Sequence, residues 1–128
     1  MIVLDTHAWL WWMTHDRRFS AGVRRRIDGT EVGICSISCF EVALLERRGR
    51  IALDRDVDSW VGLALAREGV RALPLDASIA TAAAQLDPDH FPADPADRII
   101  YATARAHGAV LATKDRRIRA HDPHRTIW

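Results

Sequence analysis

The sequence predicts an α/β fold in three layers, a mostly parallel central sheet sandwiched between helices, and three observations lead there. Four short apolar runs recur along the chain, helical periodicity fills the intervals between them, and the helical stretches carry start and stop signals. Strands joined through helices run parallel, and a parallel sheet needs helices on both faces. At 128 residues, without repeats or linkers, the chain suits a single domain over 1–128, which buries roughly two thirds of the surface of its unfolded state.

The first run, Ile2–Leu4, is an apolar strand that ends at Asp5. Trp9 and Trp12 follow at the spacing of one helix face, which suits core packing, whereas Trp9, Trp11 and Trp12 together could also supply an apolar surface for a partner. Ser20 ahead of Val23, Arg24 and Ile27 starts a basic helix that Gly29 closes. Val32–Cys35 is the second strand. Ser38 opens a helix that runs through Leu44 and Leu45 and stops near Gly49. Residues 58–68 carry Trp60, Val61, Leu63, Ala64 and Leu65 ahead of Gly69 and read as a helix, and Val70–Leu73 is the third strand. Asp76 caps an alanine-rich helix over 77–85, and 86–93 is a loop built on Asp87-Pro88 and Phe91-Pro92. Asp94 is an N-cap with Pro95 at the first helical position, the helix runs to His107, and 109–113 is the last strand.

Composition narrows the function classes. A hydrophobic share of 48% with 27% charged residues is ordinary for a globular protein, and no run approaches the ~20 apolar residues of a membrane span. The first residues lack the basic segment of a secretory signal and read as the start of the fold, and the sparse cysteines point to a cytoplasmic location. Cys35 and Cys39 are too few for a disulfide framework or a zinc site and are expected as buried, reduced thiols. The net charge is +1, yet every basic residue except Lys114 is an arginine, with clusters at Arg17-Arg18, Arg24-Arg25-Arg26, Arg47-Arg48 and Arg116-Arg117. Solvated helix faces and phosphate binding both account for such clusters. The six scattered histidines read as surface residues, with His7 set apart by its place beside Asp5.

Ligands of parallel α/β sheets sit beyond the carboxyl ends of the strands. Asp5 follows the first strand and Asp115 lies two residues past the last, so both belong to that edge. Glu41 and Asp97 each fall in the first turn of a predicted helix and converge with them if those helices start there. Four facing carboxylates require compensation by protons, arginines or a hard cation. Oxygen ligands suit Mg²⁺ or Mn²⁺, which can orient a water for attack on a phosphodiester. Each acid also has a plainer role. Ser38-Cys39-Phe40-Glu41 matches a capping box, Asp97 can compensate a helix dipole, Asp115 can serve a turn, and Asp5 can cap a helix.

Taken in order, Ile2-Val3-Leu4-Asp5-Thr6-His7-Ala8, Ser38 with Glu41, Asp94-Pro95-Ala96-Asp97-Arg98 and Leu111-Ala112-Thr113-Lys114-Asp115 resemble the PIN-domain family. More narrowly the chain is similar to the VapC-type toxins of toxin–antitoxin pairs, in the subgroup that opens LDTHA-x-x-WW. The resemblance covers nearly the whole chain, including Gly49-Arg50-Ile51 and the run Arg98 to Ala104. It implies an α/β/α domain and an Mg²⁺- or Mn²⁺-dependent endoribonuclease with Asp5, Glu41, Asp97 and Asp115 as its metal-holding acids. It makes Asp94 a further acid, Thr6 and Thr113 supporting hydroxyls, and Arg98 an orienter of Asp97 or a phosphate contact. It also implies a cognate VapB-like antitoxin and a homodimer, with RNA as substrate; apart from the resemblance, Arg47, Arg48, Arg116 and Arg117 are candidate RNA contacts by their charge.

The alternative is a catalytically silent PIN-like module that binds RNA or protein; such a module would keep the arginines without needing all four acids. A phosphatase of the DxD kind fails because Asp5-Thr6-His7 supplies one acid. A nucleotide-cofactor enzyme fails because no glycine-rich phosphate loop is present.

Overall fold

A computed structural model describes residues 1–92 and 94–128. Among the described residues five parallel strands form one sheet, in which the third, second, first, fourth and fifth strands along the chain lie side by side in that order. These are β1 (Ile2–Leu4), β2 (Val32–Cys35), β3 (Val70–Leu73), β4 (Val110–Ala112) and β5 (Thr126–Ile127). The chain builds outward from β1 to β3, then crosses back to place β4 on the other side of β1. Strand order therefore reverses between β1 and β4, where the two strands pair Leu4 with Ala112.

Among the described residues seven helices complete the three layers: α1 (Thr6–Met13), α2 (Ala21–Ile27), α3 (Ser36–Arg47), α4 (Val57–Leu65), α5 (Ala77–Ala84), α6 (Pro95–Ala106) and α7 (Arg116–His121). The alternation of β1 divides the core. Ile2 and Leu4 join Trp9, Trp11, Trp12, Val23, Val42 and Trp60 on one face, while Val3 joins Phe91, Ile100, Tyr101, Leu111 and Ile118 on the other. α5 lies outside α6, packed through Ile79 and Ala83 on Ala102. Gly33 lets the layers close: a Cβ there would stand 2.7 Å from a Leu73 methyl and 2.9 Å from the Met1 sulfur.

Three of the four expected strands appear with their expected ends, and the fourth is shorter, Val110–Ala112 within 109–113. The loop expected over 86–93 holds as far as Pro92, and Ala93 lies outside the described residues. α3 begins at Ser36, two residues ahead of the expected start at Ser38, because Cys35 takes the cap position without a side-chain bond. The three tryptophans of α1 are all buried, so they form core and not the partner surface that was the alternative. Each histidine is exposed, as expected. Cys35 is buried and Cys39 half-buried, both free. Among the described residues no helix is long and apolar enough to cross a membrane.

Candidate active site

Asp5, Thr6, His7, Trp11, Glu41, Asp94, Asp97, Lys114 and Asp115 line one cavity of about 370 Å³ at the carboxyl edge of the sheet. Asp5 is fixed there by the ladder itself, since its backbone N–H donates to Ala112 of β4 at 3.1 Å. Its side chain caps α1, with Oδ1 accepting from the Ala8 N–H at 2.8 Å. Asp115 caps α7 in the same way, its Oδ1 accepting from Arg117 and Ile118 at 2.8 and 3.0 Å. Asp94 caps α6 through Oδ1, at 2.9 Å from the Ala96 N–H and 3.2 Å from that of Asp97. Each cap occupies one carboxylate oxygen, so capping and a role at the cavity are compatible in one residue.

Glu41 corrects the capping-box reading. With α3 starting at Ser36, Glu41 stands in the second turn and Ser38 is buried. The Glu41 carboxylate instead accepts a short hydrogen bond from the Thr6 hydroxyl. The Thr6 hydroxyl also lies 3.2 Å from that of Ser38. Thr6 has one proton, and with that proton on Glu41 the Ser38 hydroxyl must donate to Thr6. The relay Ser38 to Thr6 to Glu41 ties α3 to α1 and aims the acid.

Electrostatics shows that the acids sense one another. Burial, then the charges of Asp94, Glu41, Asp5 and Asp115, push the Asp97 carboxyl up to about 7. Burial also raises Asp5, against hydrogen bonds from Thr113 and Ala8 and the nearby His7. Glu41 is raised by burial, restrained by the Thr6 hydroxyl, and raised again by Asp94 and Asp5. Among the described residues no three His, Cys, Asp or Glu side chains already enclose an ion position. The carboxylates ring the cavity with space between them, as like charges do.

The donor chemistry fits a hard divalent cation. All candidate ligands are carboxylate oxygens, with the buried hydroxyls of Thr6 and Thr113 behind them. Among the described residues no cysteine or methionine lines the wall, and burial pushes the Cys35 thiol up to about 12. Thr113 also accepts from the Asp115 N–H at 3.1 Å, which locks the turn between β4 and α7.

The remaining expected residues part company. Arg98 neither bonds Asp97 nor stands free for phosphate, because its guanidinium donates to the carbonyls of Pro92, Ala83 and Leu86. It fastens the loop ahead of α6 instead. Arg47, Arg48, Arg116 and Arg117 are exposed, and none lines the cavity. His7, Trp11 and Lys114 do line it. Lys114 is not among the site residues expected from sequence, although a lone lysine in a chain otherwise restricted to arginine is a signal.

A family model for the PIN domain matches residues 2–122. The chain is 42% identical over 130 aligned positions to Ribonuclease VapC22 of Mycobacterium tuberculosis, covering 99% of this chain and 98% of that one. Its fold superposes on a toxin–antitoxin complex from Klebsiella pneumoniae with a TM-score of 0.72 at 18% identity, covering 100% and 97% of the two chains. VapBC2 from Rickettsia felis, bound to a DNA fragment from its promoter, gives a TM-score of 0.70 at 16% identity and covers 99% and 98%. At those identities the two structures share the fold.

Proposed function

The chain belongs to the PIN-domain family, and from that premise we propose that it is a VapC-type endoribonuclease, one domain over 1–128, that hydrolyses RNA with Mg²⁺ or Mn²⁺. The observation that carries this reading is the convergence of Asp5, Glu41, Asp97 and Asp115 from four separate elements on one cavity. A binding module needs no such concentration of like charge.

Asp5, Glu41, Asp97 and Asp115 are the residues that would hold the cations. A bound divalent ion supplies Lewis-acid polarisation of the phosphate and a more acidic water. The protein's own part is placement. The β1–β4 ladder fixes Asp5, the Thr6 relay aims Glu41, and the α7 cap fixes Asp115. Asp97, whose carboxyl is pushed up to about 7 by burial and by the neighbouring acids, would complete the set of oxygen ligands, and Asp94 adds negative potential beside it.

The substrate class is RNA, and the exposed Arg47, Arg48, Arg116 and Arg117 supply candidate backbone contacts. The partner is a cognate VapB-like antitoxin, the toxin is a homodimer, and the location is cytoplasmic. Phe40, 61% exposed and adjacent to Glu41, and Leu63, 56% exposed on α4, give apolar anchors for such a partner.

Antitoxin-free protein incubated with structured RNA in EDTA, Mg²⁺ or Mn²⁺, beside Asp97→Asn of verified fold, tests the reading. Cleavage that needs metal and disappears in the variant is the expected result. RNA binding without cleavage under every metal would instead favour the silent-module alternative.

A further inference from the structure

We propose that Lys114 contacts the substrate, its ammonium meeting a non-bridging oxygen of the scissile phosphate from the wall of the carboxylate cavity. This inference rests on the ribonuclease reading and names a residue of that site outside the acids.

Lys114 is exposed and lines the cavity together with five carboxylates. Among the described residues it nevertheless forms no ion pair within 4.0 Å, whereas four arginines do. Its Nζ rests 5.6 Å from the centroid of the Trp11 ring. That ring is fixed, being buried and braced by Trp128 at 5.8 Å. Arg18 also approaches Trp11, at 4.9 Å, but its guanidinium is held in two bonds by Asp16. Of the two cations on this indole, only Lys114 is unengaged.

The backbone under Lys114 is held on both sides. The Thr113 N–H donates to Ile127 at 3.1 Å, and Asp115 caps α7. The other cations near the site are excluded on geometry: Arg98 is spent on carbonyls, and Arg116 lines a different cavity with Arg119 and Trp128. A phosphate entering a ring of carboxylates meets repulsion that a neighbouring ammonium offsets, and an indole face holds such a cation without neutralising it. Lys114 therefore stays available until a phosphate is bound.

The test compares wild type, Lys114→Met and Lys114→Arg in cleavage of a fluorescent single-stranded RNA. It also measures the salt dependence of RNA binding in the Asp97→Asn background with and without Lys114→Met. Melting temperature checks the fold, which an exposed side chain should not disturb. We expect kcat/KM to fall about tenfold to a hundredfold in Lys114→Met and to be largely restored in Lys114→Arg. The slope of log affinity against log salt should shrink by about 0.7 when Lys114→Met is added. Cleavage within twofold of wild type and an unchanged slope overturn the inference. Equal loss in the Met and Arg variants with an unchanged slope also overturns it, because a structural effect then suffices. If wild type cleaves nothing, the ribonuclease reading fails separately, and an unchanged slope then removes the phosphate contact as well.

Discussion

The larger of two cavities in this molecule is not the one proposed as the active site. A cleft of about 800 Å³ lies where β2 and β3 begin, lined by Trp12, Arg24, Arg25, Arg67 and the acids Asp28, Glu31 and Glu68. The carboxylate cavity at the opposite edge is about 370 Å³. In the larger cleft the charges cancel, three arginines against three acids, and Arg67 lies 4.5 Å from the Trp12 centroid. In the smaller one, five carboxylates face Lys114 and His7. Volume follows from how helices meet a sheet edge, whereas uncompensated charge must be held in place against its own repulsion. The second property is what makes the carboxylate cavity the candidate site.

The comparison breaks most readily in activity. Asp5→Asn or Asp97→Asn should lower RNA cleavage by a factor of about a thousand, on the scale of losing a preorganised electrostatic group. Arg67→Ala in the other cleft should leave cleavage within twofold. Equal losses at both edges, measured as initial rates on one RNA, would end the distinction. Next in size is metal linkage. Mn²⁺ at a hundred times its dissociation constant should stabilise the wild type by about 2.7 kcal/mol. Thermal melts should show little of that gain in Asp97→Asn.

Thr6→Val sharpens the comparison within the site. It leaves a buried Ser38 hydroxyl and the Glu41 carboxylate without their shared partner, at a cost of about 1–3 kcal/mol. Urea titration measures that cost, and cleavage should fall while the Arg67 edge is unaffected. The smallest expected effect is on pH. The Asp97 carboxyl sits at about 7 in the folded protein against 3.8 for the ordinary group. The folded state therefore binds more protons than the unfolded state between those values, and stability of the metal-free protein falls as pH rises from 3.8 to about 7. Because Asp97 is only half-buried, screening reduces the effect to about 1–2 kcal/mol. Asp97→Asn should flatten this slope, and denaturation followed from pH 4 to 8 reads it directly.

Much of the arrangement was legible because it is local. Apolar runs bounded by Asp5, Gly29, Gly69 and Asp94 set strands and helices near their true ends, since caps and turns act over three or four residues. Other parts were not legible for the same reason. α7 has Ile118 as its one buried residue among charged neighbours, and β5 has two residues. Such short elements exist through their neighbours, α7 through its Asp115 cap and β5 through its pairing with β4.

The acids divide in the same manner. Sequence by itself determined the α/β class, the carboxyl-edge position of Asp5 and Asp115, and the quartet as candidates, because strand ends and helix starts are written in adjacent residues. Only the tertiary structure decided that Glu41 answers to Thr6 across 35 positions, that Arg98 serves a loop, and that Lys114 rests on Trp11. Hydrogen bonds and charge interactions act through space over a few ångströms. Which distant residues come within that range is settled only when the sheet closes and both of its faces are packed.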